Sequence, residues 1–333
     1  MITIVGAGSW GTALAIHLAR NGTPVRLCAR SPEVVEAMRR RRRNPWYLPD
    51  VDLPEGIDPT TDAAGAVAAA SLVVIAVPSE FFGDTLARLG AVSAPVVSAT
   101  KGFEPGRHRR MSEVIAARWP AAGVGVLSGP TFAREVALGQ PTAAVIACRD
   151  DALGADLQRQ LGSREFRLYA NRDVIGVEVG GALKNVIAVA TGLADGLGLG
   201  ENTRAALITR GLAEITRLAV TLGGEPATLA GLAGLGDLVL TSTGTLSRNR
   251  ALGMALARGE SREGARQATR MVAEGVPTVR TALALAAQHG TTVPIAAEVA
   301  AVLFDGKPPA EALASLLGRA ATREDVRVGG RNA

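Results

Sequence analysis

The chain has 333 residues, of which 47% are hydrophobic and 20% charged, a balance that excludes a disordered chain. One hydrophobic core rarely grows past about 250–300 residues, so two domains are expected. Aromatic residues are only 3% and the net charge is +5, a scattered surplus that favours small anionic ligands and argues against nucleic acid as a partner.

The first half alternates β-rich runs with helical patterns. Ile2–Val5 is apolar and bounded by glycine, residues 12–20 have helical spacing and stop at Asn21-Gly22, and residues 25–29 read as the next strand. Residues 39–43 are five consecutive arginines, read as the solvated C-terminal end of a helix. The low-polarity stretch 63–77 contains Gly65 and Ser71 and ends at Pro78; at 15 residues it is too short for a membrane span of about 20 and reads as a small helix plus a buried strand at 72–77. Residues 96–99, 124–127, 142–147 and 166–169 are further strands. Strands alternating with helices predict a doubly wound, Rossmann-like α/β domain with a mainly parallel sheet, over residues 1–171. Beyond that the strand signal stops. Residues 174–190, 204–222, 248–258, 276–289, 295–303 and 310–317 read as helices of an all-helical domain over residues 172–333.

Gly6-Ala7-Gly8-Ser9-Trp10-Gly11 follows a strand and opens a helix, the setting in which GxGxxG binds a dinucleotide. Gly6 permits the tight turn, Gly8 lets backbone N–H groups approach a pyrophosphate, and Gly11 lets helix and strand pack closely, with the helix N-terminus facing the phosphates. An acidic residue at the end of the second strand would suit the ribose 2′-OH of NAD. Arg30 stands there instead and suits a 2′-phosphate, so NADP(H) is the expected cofactor, with NAD(H) also admissible.

Only three lysines, Lys101, Lys184 and Lys307, stand among the 36 basic residues. Where a bare positive charge suffices this chain uses arginine, so a lysine can mark a titratable amine. Lys184 sits in the apolar helical stretch around Gly180-Gly181-Ala182-Leu183. A buried ammonium must be paired, solvated or shifted down, which suits a proton shuttle; the competing reading is a lysine whose head snorkels to water. The small residues Gly180 and Gly181 would admit another segment or a substrate. Asp237, a single acid in Gly234-Leu235-Gly236-Asp237-Leu238, could orient that ammonium or cap a helix. Ser247-Arg248-Asn249-Arg250 at a helix start suits a small phosphate, or plain capping. Lys101-Gly102 and Ser128-Gly129-Pro130-Thr131 each follow a strand's carboxyl end, where ligands of open α/β sheets bind. His17, His108 and His289 stand outside these clusters, and no carboxylate pair has metal-ligand spacing beside a histidine, so neither a histidine base nor a metal is expected. Cys28 and Cys148 lie far apart with no CxxC, and the N-terminus has no cationic segment before its apolar run, so a reduced, cytoplasmic protein is expected.

In the order of these blocks the sequence resembles the bacterial NAD(P)-dependent glycerol-3-phosphate dehydrogenase family. The resemblance spans residues 6–11, Ala99-Thr100-Lys101-Gly102, Ser128-Gly129-Pro130-Thr131-Phe132-Ala133, the Gly180 to Ala188 segment with Lys184-Asn185, the Asp237 block and the Ser247 block. It implies a Rossmann-like domain followed by a helical one with the active site in the cleft, and a homodimer. It implies reduction of dihydroxyacetone phosphate to sn-glycerol 3-phosphate for phospholipid synthesis, with Lys184 as proton donor and acceptor, Asp237 holding it and Lys101 in support. Lys101, Gly129, Thr131, Asp237, Ser247, Arg248 and Asn249 would surround the substrate. Ser9, Trp10, Arg30, Lys101, Ala133, Arg248, Val272 and Glu274 would contact the cofactor. The sequence departs from the family's pattern at Glu80 and at Ser242, where a cysteine is common. Two other readings share part of these features. A ketopantoate or β-hydroxyacid reductase would leave the Ser247 block without a purpose, and a non-catalytic NADP(H)-sensing protein would need the glycine turn but not Lys184.

Overall fold

The computed structural model describes residues 1–261, 263–264 and 273–319. The chain divides into two compact units: Met1–Thr100 with Arg109–Val174, and Lys101–His108 with the chain from Ile175 onward.

The first unit is built on an eight-stranded sheet. In chain order its strands are β1 (Ile2–Val5), β2 (Val25–Cys28), then, after a two-stranded antiparallel ribbon of β3 (Arg43–Asn44) and β4 (Leu48–Asp52), β5 (Ile57–Thr60), β6 (Leu72–Ile75), β7 (Val96–Ser98), β8 (Val124–Ser128), β9 (Thr142–Ala147) and β10 (Phe166–Asn171). The spatial order is β10-β9-β8-β7-β6-β1-β2-β5. All neighbours pair in parallel except β8 with β9, which run antiparallel. Val, Ile and Leu make up β6 and, with Thr3, β1; both are buried on both faces as central strands of a parallel sheet are. One core packs around β1, helix Ser9–Arg20 and β10; a second covers the other sheet face with Phe82, Met111, Ile115 and Trp119.

Two features depart from expectation. β5 carries Asp58 and Pro59, which break the strand signal; Pro59 is tolerated because β5 is the sheet's edge. The arginine run is also not simply a solvated helix end. Helix Pro32–Arg41 stops as Arg42 enters the left-handed region at φ 48°. Arg39 donates to the Pro59 carbonyl at 2.8 and 3.1 Å, and Arg42 donates to the carbonyls of Ile57 and Pro54. The guanidiniums are drawn in because the edge strand and the loop before it offer carbonyls that no neighbouring strand satisfies.

Among its described residues the second unit is helical. Helix Val174–Gly196 runs through its core with Val179, Val186, Ile187 and Val189 buried. The stretch 63–77 resolves into helix Ala63–Ala68 and β6, whereas Val174–Gly196 has the length and apolar composition to cross a bilayer; 94% of its most apolar window is buried inside the fold, as for a core helix. Glu201–Thr221, Asp237–Thr243, Arg248–Ala257, Gly275–Gln288, Pro294–Phe304 and Pro309–Leu317 surround it. Glu214 accepts the backbone N–H groups of Ile295 and Ala296 at 2.8 and 2.9 Å, satisfying the start of helix Pro294–Phe304 from a neighbouring helix. Burial pushes its carboxyl up to about 7 against those two donors.

Candidate active site

Two charged residues that interrupt apolar helices meet inside the second unit. Lys184 projects from helix Val174–Gly196 and donates through Nζ to Asp237 Oδ1 at 2.5 Å and to Thr241 Oγ1 at 2.7 Å. Lys101 donates to the other carboxylate oxygen, Oδ2, at 2.7 Å. Asp237 is fully buried, and a π-helical turn at Leu232–Gly236 delivers it as the first residue of helix Asp237–Thr243. Its side chain therefore serves the two ammoniums and not the helix cap. Gly180 leaves room for this arrangement, since a Cβ there would lie 2.8 Å from the Ala233 carbonyl oxygen.

Two cations on one carboxylate leave the cluster with one surplus positive charge. Burial dominates the Lys184 amine and pulls it from 10.5 down to about 7; Asp237 opposes the shift, while Lys101 and Arg248 add to it. The amine thus exchanges a proton near neutrality, and the surplus charge favours an anion or a developing alkoxide beside it.

Amides frame the cluster. Asn185 reaches the Lys101 carbonyl at 3.4 Å, and Asn249 donates to Asn185 Oδ1 at 2.9 Å while accepting the Gly275 N–H at 2.9 Å. Ser247 caps helix Arg248–Ala257 by accepting the Arg250 N–H, so its hydroxyl does the capping work that its position allowed. Arg248, the first residue of that helix, is exposed, whereas Arg250 turns inward to the buried Asp195 at 2.6 Å, alongside Arg204. The helix sits backbone on backbone against helix Val174–Gly196: a Cβ on Gly192 would fall 2.1 Å from the Arg250 carbonyl oxygen, and one on Gly253 2.2 Å from that of Val189. Glu274 is the N-cap residue of helix Gly275–Gln288. Val272 lies outside the described residues. Thr241 joins the cluster although it was not singled out, since a threonine in a helix carries no distinctive spacing; Asn185 stands in the block that carries the resemblance but was given no role of its own.

In the first unit the glycine turn follows β1. Gly6 has φ +113°, and a Cβ there would clash with Ala76 O at 2.5 Å; one on Gly11 would meet Gly6 O at 1.9 Å. A Cβ on Gly8 would meet nothing within 4 Å, so that side of the turn is open for a ligand's approach. Trp10 Nε1 is buried without a hydrogen-bond partner, and Ser9 Oγ donates to the Tyr47 carbonyl at 3.0 Å. This open, glycine-lined turn at a helix N-terminus fits a dinucleotide pyrophosphate. Arg30 follows β2, Gly129 follows β8 at φ +131°, Thr131 Oγ1 donates to the Gly129 carbonyl at 3.1 Å, and Ala133 opens helix Ala133–Ala137. Among the described residues, no three His, Cys, Asp or Glu side chains gather as metal ligands. His17 is buried in the first unit against the Leu161 carbonyl, and His108 lies beside Thr281.

A dinucleotide-type turn in one unit and a lysine–aspartate cluster in the other are the equipment of a nicotinamide-dependent dehydrogenase. Residues 1–154 match the family model described as NAD-dependent glycerol-3-phosphate dehydrogenase N-terminus, and residues 173–314 match that of its C-terminus. The chain is 52% identical to a glycerol-3-phosphate dehydrogenase [NAD(P)+] of Nocardia farcinica over 95% of its length and 97% of that protein. It is 50% identical to the enzyme of the same name from Thiobacillus denitrificans, over 96% and 98%. The crystal structure of glycerol-3-phosphate dehydrogenase from Coxiella burnetii superposes with a TM-score of 0.92 at 41% identity, covering 96% of this chain and 98% of that one. The chain belongs to the NAD-dependent glycerol-3-phosphate dehydrogenase family.

Proposed function

We propose that this chain catalyses the reversible reduction of dihydroxyacetone phosphate to sn-glycerol 3-phosphate with NAD(P)H, supplying the backbone of glycerophospholipids. The observation that carries the reading is the buried Lys184–Asp237–Lys101 cluster, with its amine titrating near neutrality and its surplus positive charge. Reduced nicotinamide, when bound, supplies the hydride that C2 of the substrate takes up. Lys184 as ammonium donates a proton to the C2 oxygen as negative charge builds there, and in the reverse direction the neutral amine takes the proton back. Asp237 and Thr241 hold the amine by the bonds already in place, and Lys101 adds positive charge beside the developing alkoxide.

Arg248, with Ser247 and Asn249 at the same helix N-terminus, grips the substrate phosphate, an anchor that orients C2 for the reaction. We also assign Gly129 and Thr131 to substrate binding. We assign dinucleotide binding to residues 1–171 and substrate chemistry to residues 172–333 together with Lys101. Gly6, Gly8 and Gly11 hold the pyrophosphate, and Ser9, Trp10, Ala133, Lys101, Arg248 and Glu274 are further cofactor contacts. Arg30 at the end of β2 favours a 2′-phosphate, so NADP(H) is preferred over NAD(H). We read the protein as a cytoplasmic homodimer. Two buried free cysteines, Cys28 and Cys148, accord with a reducing compartment, and the exposed side chains of Leu235, Val239 and Leu246 offer apolar surface for a second copy.

The test follows loss of the nicotinamide absorbance band with dihydroxyacetone phosphate, ketopantoate and β-keto acids, each with NADPH and with NADH. Turnover confined to the phosphorylated ketone supports the reading. Oxidation with the acids instead, or binding of NADPH without turnover of any ketone, sinks it.

A further inference from the structure

Asn44 is wholly buried in the first unit, and every hydrogen-bonding atom of its side chain is engaged. Its Nδ2 donates to the carbonyl of Ala7 at 2.8 Å and to Thr12 Oγ1 at 2.8 Å. Ala7 lies inside the glycine turn, and Thr12, also fully buried, lies in the first turn of the helix that the glycines open. Asn44 Oδ1 accepts the backbone N–H groups of Trp46 and Tyr47 at 3.3 Å each. A third tie joins the same segments, the Ser9 hydroxyl donating to the Tyr47 carbonyl at 3.0 Å. One amide thus fastens residues 44–47 to residues 7–12, with its donor half on the turn and its acceptor half on its own loop.

A glycine-rich turn binds phosphate by presenting several backbone N–H groups at once, and glycine is the residue least able to hold one backbone shape unaided. Gly8 has open space where its side chain would be, so neighbouring atoms give it no support on that side. The Ala7 carbonyl is the point at which an outside group fixes the peptide orientation next to Gly8, and Asn44 supplies that group. Its burial makes the bond costly to lose, because the Ala7 carbonyl would be left without this donor away from water.

We propose that Asn44 is a positioning residue for dinucleotide binding: through Ala7 and Thr12 it holds the glycine turn in the shape that receives the pyrophosphate. The inference rests on the reading of that turn as the cofactor site and adds to it a residue 33 positions beyond the turn's last glycine. Asn44→Ala removes both halves of the tie. Thr12→Val keeps the shape of a buried residue and removes only one acceptor, so it stands in if the alanine variant does not fold.

The experiment measures the NADPH dissociation constant of the full chain by nicotinamide fluorescence, together with separate KM values for NADPH and dihydroxyacetone phosphate. Asn44→Ala should weaken NADPH by about tenfold to a hundredfold and Thr12→Val by a few-fold. The KM for dihydroxyacetone phosphate at saturating NADPH should stay within twofold, a split that general loosening of the fold would not produce. If wild-type protein binds NADPH and both variants bind it within twofold as well, the proposal is overturned alone. If wild-type protein binds neither NADPH nor NADH, the reading of the turn falls, and the proposal falls with it.

Discussion

Lys184 and Asp237, 53 residues apart in sequence, are joined at 2.5 Å inside the helical unit, and the second oxygen of the same carboxylate is held by Lys101. Lys184→Ala should lower kcat by at least about 10²–10⁴-fold, the range for loss of a general acid. NADPH affinity, measured by fluorescence titration, should remain close to wild type, because Lys184 is not among the residues assigned to the cofactor. A folded variant that binds NADPH and turns over at near-normal rate would remove Lys184 from the mechanism.

The amine's value near 7 gives the two directions opposite pH profiles. Reduction needs the ammonium, so kcat/KM for dihydroxyacetone phosphate should be flat below about 7 and fall above it; oxidation of glycerol 3-phosphate needs the neutral amine and should rise through the same range. Stability follows from the same shift. The folded value lies below the ordinary 10.5, so between about 7 and 10.5 the folded protein binds fewer protons than the unfolded chain. This group's penalty is therefore full below about 7 and is relieved as pH rises through that window. Urea unfolding of Lys184→Met across pH 7 to 10 should lack that component of the slope.

Asp237→Asn leaves two ammoniums facing each other without their carboxylate. Breaking a buried charge set by removing one partner costs on the order of 3–5 kcal/mol, to be read from urea unfolding. In any variant that remains folded, loss of the carboxylate should also move the inflection of the reduction profile to lower pH.

Arg30→Ala should raise the KM for NADPH while leaving that for NADH nearly unchanged, because only the former carries a 2′-phosphate. Steady-state kinetics with each cofactor checks this. Equal and unaltered KM values for both would end the assignment of Arg30 to cofactor choice.

Asp195 is buried under Arg250 and Arg204, and Arg250 lies two residues beyond Arg248 on the same helix. Asp195→Asn should free the start of helix Arg248–Ala257 and raise the KM for dihydroxyacetone phosphate by about tenfold, with a smaller change in kcat. Turnover of dihydroxyacetone, which has no phosphate to grip, should be unaffected by the same substitution.

The parts of the fold that could be read in advance are those where local pattern and burial agree. β6 is an unbroken aliphatic run, β1 is interrupted only by Thr3, and the central helix is predominantly apolar and buried along nearly its whole length. β5 escaped notice because Asp58 and Pro59 are poor strand formers, and what makes it a strand is its neighbour β2. At the site, Lys184 and Asp237 were legible because a lone charge in an apolar stretch has to find a partner. Their pairing was the expected one, since Asp237 reads as the acid that orients the ammonium; that Lys101 bonds the second oxygen of the same carboxylate was not legible. Arg250 looked like part of the phosphate grip, but its guanidinium is committed to Asp195, 55 residues away. Asn44 gave no signal at all, since the need it meets is created only when the turn has folded.

Lys101–His108 groups with the helical unit, although the chain on either side of it belongs to the sheet-bearing one. Phe103 from this short excursion is buried in the helical core, and Lys101 supplies half of the cation pair on Asp237. The two halves are therefore not interchangeable modules. A helical fragment cut off at residue 174 would be born with a gap in its interior and one ammonium missing, and a chimaera assembled from two homologues would have to carry this eight-residue loop with the later half of the gene.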